Sequence, residues 1–128
     1  MPLVRVSLNE GRSETVRAAI SAAVHQAMVD TIKVPADDKF QILTEHGKNE
    51  VIYDPAYLGV SRTDGVVVVQ ITLNVGRTVD MKKALYARMA ELLHEKAGVR
   101  KEDVIISLIE VTKDNWSFGS GLAQYADK

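Results

Sequence analysis

The sequence predicts an α+β fold: a tandem β-α-β repeat whose two units build a four-stranded main sheet with two helices on one face. Three observations lead there. Short alternating runs of β-forming residues flank longer stretches of helical periodicity. That pattern occurs twice. Finally, Leu8-Asn9-Glu10-Gly11-Arg12-Ser13 returns as Leu73-Asn74-Val75-Gly76-Arg77-Thr78, an offset of 65 residues. The same offset, without a gap, pairs Ala19 with Ala84, Ala22 with Ala87, Val34 with Val99, Asp38 with Asp103, Leu43 with Leu108 and Glu45 with Glu110. Self-similarity at one fixed spacing marks a duplicated structural unit.

Pro2 to Leu8 alternates and reads as the first strand. Ser13 is placed to cap the first helix. Its apolar face is Val16, Ala19, Ile20, Ala23, Val24, Ala27, Met28 and Ile32, spaced three and four apart. Pro35 stops that helix, and Phe40 to Thr44 forms the second strand. Residues 46–65 hold turn formers and short apolar pieces and read as a connecting loop with room for one short hairpin. The third strand runs from about Val66 to Leu73. Thr78 caps the second helix, with Met81, Ala84, Leu85, Met89, Leu92, Leu93 and Ala97 on its inner face, and Val104 to Val111 is the last long strand. The 128 residues therefore form one domain of two units, about 1–45 and 66–111. Right-handed crossovers make the strands within each unit parallel and put both helices on one side. The other sheet face, apolar in the third strand, is left bare and is expected to pack against further copies of the chain.

Bulk properties narrow the function. Sixteen Lys and Arg against seventeen Asp and Glu give a net charge of −1, without the basic stripe of a nucleic-acid binder. Cysteine is absent, which excludes disulfides and thiolate chemistry and suits the cytoplasm. The start lacks the pattern of a signal peptide. The longest apolar run, Val66-Val67-Val68-Val69, is too short to cross a bilayer. His25, His46 and His94 have no metal-ligand spacing, and no phosphate-binding glycine loop or serine-nucleophile motif occurs. A cytoplasmic protein without metal, membrane or nucleic-acid partner is expected.

The unit copies differ at one chemically decisive place. Pro2 maps onto Val67, inside the chain, so only the first copy can present a free amino terminus. Removal of Met1 would leave a secondary amine at a strand tip. An α-amino group ordinarily titrates near about 8, close enough to neutrality to move protons. Arg77 follows a glycine at a strand-to-helix turn, and a guanidinium fork suits a carboxylate. Arg12 is its twin in the first unit.

The opening Pro2-Leu3-Val4-Arg5-Val6 with Glu10-Gly11-Arg12-Ser13 resembles the tautomerase superfamily. So do Ala27-Met28-Val29, Val34-Pro35-Ala36-Asp37-Asp38, Leu58-Gly59, Asp103-Val104-Ile105 and Asn115-Trp116-Ser117-Phe118-Gly119. Within it the chain is most similar to the malonate semialdehyde decarboxylase group. That resemblance implies a tautomerase-like fold, a homotrimer and an enzyme needing no cofactor. It implies Pro2 as the catalytic proline and Asp38 as the aspartate that orients its amine or a water. Arg77 would grip a substrate carboxylate, with Arg12 a further substrate-binding candidate, and Trp116, Phe118 and Tyr125 would form an apolar wall. The decarboxylase pattern has Arg-Pro-Arg where this chain has Asn74-Val75-Gly76-Arg77, so one arginine of a pair is replaced. The expected substrate is a small carboxylate-bearing carbonyl compound, with keto–enol tautomerisation favoured over decarboxylation. The rival reading is a non-catalytic ligand-binding or structural oligomer of the same fold.

Overall fold

The structure, a computed structural model, describes residues 2–126. Met1, whose removal the sequence reading expects, lies outside the described residues. Strand β1 (Leu3–Asn9) leads into helix α1 (Glu14–Ile32) and strand β2 (Gln41–His46). Strand β3 (Val67–Asn74), helix α2 (Val79–Ala97) and strand β4 (Val104–Val111) follow. The sheet order is β2-β1-β3-β4. β1 pairs with β2, and β3 with β4, in parallel, while the central pair β1/β3 is antiparallel. The predicted fold class is the one observed.

The repeat is visible residue by residue. Ser13 Oγ accepts a hydrogen bond from Val16 N, and Thr78 Oγ1 accepts one from Met81 N, each at 3.2 Å. These caps satisfy amide donors that the first helical turn leaves free. Both helices end on a left-handed residue, Lys33 (φ 60°) and Gly98 (φ 67°). α1 thus stops two residues before Pro35, consistent with the restriction on the residue preceding a proline. In the central ladder Leu3 faces Thr72 and Ser7 faces Val68. Moving each member of the first pair by the repeat offset produces the second, so a local twofold axis passes between β1 and β3 at the Arg5–Gln70 pair.

Alternation decides the core. Val4, Val6 and Leu8 of β1 and Val67, Val69, Ile71 and Leu73 of β3 are fully buried under the helices. Against them pack Ile20, Val24 and Met28 of α1 and Leu85, Met89 and Leu93 of α2. Burying a side chain of this size contributes roughly 1.5–3 kcal/mol. Ala84, placed on the inner face by its spacing, is exposed.

Two expectations are corrected. The uncovered face of β3 is not apolar: it presents Val68, Gln70, Thr72 and Asn74, because the valines of the run that face inward are Val67 and Val69. Beside Val68, that face carries apolar groups on the other strands, at Leu3, Ile42 and Ile109, which are 37%, 43% and 46% exposed. Residues 47–66 form no hairpin. They contain a 3-10 turn at Tyr57–Gly59, held by the Arg62 guanidinium donating to the carbonyls of Asp54 and Tyr57 at 3.0 and 3.2 Å.

This loop is tied to the second unit by Asp103, the repeat partner of Asp38. Asp103 is buried, and its carboxylate accepts from Thr63 N at 2.7 Å, Thr63 Oγ1 at 2.6 Å and Arg100 Nη1 at 3.4 Å. Asp103→Ala is expected to lower the unfolding free energy by on the order of 3 kcal/mol, because it strands these donors in a sheltered place. Thr63→Val, which removes a hydroxyl that donates to this carboxylate and accepts from Gly65 N at 3.1 Å, should cost about 1.5–3 kcal/mol while leaving the Thr63 N bond in place. Urea midpoints at unchanged slope give both values.

Candidate active site

Three segments meet at one end of the sheet. β1 and β2 begin there, with Val4 N donating to Phe40 O at 3.0 Å. Because β1/β3 is antiparallel and Leu3 faces Thr72, β3 ends there too. Pro2, which is buried, therefore sits between the turn that leads into β2 and the Asn74–Arg77 turn that follows β3.

Asp38 lies on the first of these turns, with its amide donating to Pro35 O at 3.0 Å. It lines a cleft of about 370 Å³ together with Phe40, Phe118, Gln124 and Tyr125. The cleft has an aromatic wall. Trp116 stacks on Phe118 with ring centroids 5.6 Å apart and planes inclined at 16°. Tyr125 meets Phe118 edge-on at 4.7 Å and 73°. Such pairs add roughly 0.5–1.5 kcal/mol beyond the area they bury. Gly119, at φ 127°, lets the chain double back so that Tyr125 reaches Phe118. Gln124 closes that turn: its Oε1 accepts from Phe118 N at 3.0 Å and its Nε2 donates to Gly119 O at 3.1 Å.

Arg77 joins the wall through Asn74. Its Nη1 donates to the Asn74 carbonyl at 3.0 Å, while Trp116 Nε1 donates to Asn74 Oδ1 at 2.7 Å. Gly76, at φ 131°, shapes the turn that presents the half-buried arginine. A guanidinium, a carboxylate and a proline so arranged around an aromatic wall can hold an anionic ligand and, once the proline nitrogen is free, move protons on it.

The structure thus brings Pro2, Asp38, Arg77, Trp116, Phe118 and Tyr125 to one end of the sheet. It does not bring Arg12 there within the same chain. Arg12 follows the far end of β1, and its Nη2 donates to Gly65 O at 2.7 Å. Two contributors escaped sequence reasoning. Asn74 stood only as the replacement for an arginine, although its recurrence as Asn9 in the repeat marked it. Gln124 carries no pattern that would have singled it out.

A family model described as tautomerase enzyme matches residues 38–119, and a second with the same description matches residues 2–61. The chain is similar to the probable tautomerase YusQ of Bacillus subtilis (strain 168). They share 46% identity over 124 residues, spanning 97% of this chain and 98% of that protein. Among solved structures it is similar to FG41 malonate semialdehyde decarboxylase inhibited by 3-bromopropiolate. Identity there is 40% and the TM-score 0.92, over 98% of this chain and 95% of that one. It is also similar to a fused 4-OT wild type symmetric trimer, at 26% identity and a TM-score of 0.79, over 98% and 99% of the two chains.

The Asn74–Trp116 bond invites a double-mutant cycle. Trp116→Phe keeps a stacking ring but leaves Asn74 Oδ1 unpaired, and Asn74→Leu leaves the indole N–H unpaired. Each change alone should destabilise by about 1–2 kcal/mol, and the double variant by less than their sum, because no orphaned polar group remains. Denaturant titrations of the four proteins measure the coupling.

Proposed function

The chain belongs to the tautomerase family, and on that footing we propose a cofactor-independent, Pro2-dependent enzyme acting on a small oxo-carboxylate in the cytoplasm. The observation that carries this reading is the meeting of Asp38, Arg77 and the Trp116–Phe118–Tyr125 wall at the sheet end where β1 starts with Pro2. Arg77 holds the substrate carboxylate by charge-assisted hydrogen bonds. The Pro2 nitrogen, freed by removal of Met1, carries a proton between the enol oxygen and the neighbouring carbon, and Asp38 orients that amine or a water beside it. The aromatic wall excludes water from one side of the substrate and strengthens these interactions. Decarboxylation of a 3-oxo acid would instead require a protonated proline to stabilise the enolate, together with a second group to fix the departing carboxylate. At the position of that second group stands Asn74, whose side chain accepts from Trp116. Tautomerisation is therefore the favoured reaction.

The two units act as a single domain within a homotrimer. The uncovered sheet face, with Leu3, Ile42 and Ile109 partly exposed on it, supports that assembly, as does the likeness to a protein solved as a symmetric trimer. A sedimentation mass three times that of the chain at micromolar concentration is expected, and a monomer mass would contradict the assembly.

On protein shown by mass to begin at Pro2, the rate of phenylpyruvate-type enol–keto conversion should exceed that of malonate semialdehyde decarboxylation. Pro2→Ala should reduce turnover at least tenfold, as loss of a general acid–base group does, without dissociating the assembly. Arg77→Ala should weaken carboxylate substrates roughly tenfold to a hundredfold, and Arg12→Ala should act less. Full activity in Pro2→Ala would overturn the proline role. Equal effects of the two arginine changes would shift the carboxylate grip towards the first unit.

A further inference from the structure

His25, which belongs to no metal-ligand pattern, meets the turn that carries Asp38. Its Nε2 stands 2.9 Å from the Ala36 carbonyl. A carbonyl can only accept, so Nε2 carries the ring proton and donates. Nδ1 is buried and has no hydrogen-bond partner among the described residues. The Ala36 bond is therefore the ring's one polar attachment there. One helical turn earlier, Ser21 makes a reciprocal pair with Gln41. Ser21 Oγ donates to Gln41 Oε1 at 2.7 Å, and Gln41 Nε2 donates to the Ser21 carbonyl at 3.1 Å. Residues four apart share a helix face, so one face of α1 holds both ends of segment 36–41. Asp38 lies between the two ties. Its amide donates to Pro35 O at 3.0 Å, and Phe40 O accepts from Val4 N at 3.0 Å. The segment is thus fixed to α1 on one side and to β1 on the other, and neither α1 tie uses the Asp38 carboxylate.

The second unit lacks both ties. At the repeat offset Tyr86 and Ala90 stand in place of Ser21 and His25, and Lys101 and Ile106 in place of Ala36 and Gln41. Ala90 has no side-chain donor and Ile106 has no amide group beyond its backbone. There the matching aspartate, Asp103, is buried and held through its own oxygens by Thr63. The clamp occurs in the unit whose aspartate lines a cleft, and the other unit holds its aspartate directly.

We propose that His25 and Ser21 are positioning residues: they hold segment 36–41 so that the Asp38 carboxylate keeps its place at the Pro2 end of the sheet while a proton moves. This rests on the role given to Asp38 above. Neither side chain lines the cleft, so both act through Asp38 and not on the substrate. Arg77, which takes the substrate carboxylate, lies on a different turn. Loss of the clamp therefore slows the chemical step and leaves substrate binding in place.

Steady-state kinetics of the assembled chain beginning at Pro2, with a phenylpyruvate-type enol, test this beside hydrogen exchange at the Asp38 amide, which reads the clamp without substrate. His25→Ala should lower kcat about tenfold and change KM less than about twofold, since a misplaced group loses orientation and not binding. It should quicken exchange at Asp38 by a similar factor. His25→Gln, whose amide nitrogen can reach the Ala36 carbonyl, should restore both. Ser21→Ala, which frees the other end of the segment, should act in the same direction. In an Asp38→Asn background His25→Ala should cost little further kcat, because both changes act through one carboxylate. Unchanged exchange in His25→Ala would overturn the clamp whatever the activity. Quickened exchange with unchanged kcat, in an enzyme that Asp38→Asn does slow, would overturn the positioning role alone. Full activity in Asp38→Asn would instead overturn the reading of Asp38, and the positioning role with it. If His25→Ala does not fold, Ser21→Ala decides in the same assays.

Discussion

The antiparallel pairing of β1 with β3 is the contact on which the rest of the molecule depends. A single unit has two parallel strands and one helix, too little to bury a core of its own. The central ladder from Leu3–Thr72 to Leu8–Val67 fuses the two half-sheets and sets α1 beside α2, so that Met28 and Leu93 belong to one core. The same ladder has a chemical effect. Because it runs antiparallel, the start of one unit lies beside the strand end of the other, and Pro2 is thereby delivered to Asn74 and Arg77. A parallel arrangement would have placed them at opposite ends of the sheet.

Duplication gave each end of the sheet the same starting parts, and the two ends have diverged in what those parts do. Asp38 lines an open cleft, whereas Asp103 is buried and anchors the Thr63 loop. Asn74 accepts from an indole and supports Arg77, whereas Asn9 donates to Asp64 and, among the described residues, has no donor for its side-chain oxygen. Gly98 takes the left-handed helix stop at no steric cost, whereas Lys33 takes it in the first unit at a cost of about 1 kcal/mol. Identical backbone positions thus tolerate different chemistry once the shared core is secured.

Much of this was legible in the sequence because its signals are local. Ser13 and Thr78 announced their helices, the spacing of Ile20, Val24, Met28 and of Leu85, Met89, Leu93 announced the inner faces, and the repeat announced two strand–helix–strand units, though not the antiparallel pairing that joins them. What stayed hidden depends on choices that local pattern does not encode. A run of four valines alternates in either phase, and the face of β3 turned inward is set instead by the Gln70-Ile71-Thr72-Leu73 alternation that follows, which the valine run masked. The roles of Asn74 and Gln124 arise from partners 42 and 6 residues away, through bonds that only the assembled turns create. Trp116 and Phe118 were recognisable as a pair on one side of an extended segment, but their spacing alone does not distinguish a cleft wall from a core.

The aromatic wall lies on residues 116–125, while the proline at the same end of the sheet is residue 2. A ribosome therefore delivers the two halves of this place at opposite ends of its work. β1, α1 and β2 can emerge and begin to associate while the amine end still faces water. The sheltered environment is assembled only after nearly all of the chain has been made, when the last segment folds back through Gly119 and closes on Phe118. Contacts across so long a separation carry a larger closure entropy than those within the first unit, so a nascent or truncated chain lacks the aromatic wall at that end of the sheet. Completion of the polypeptide is in this way a condition for the surroundings of its first residues.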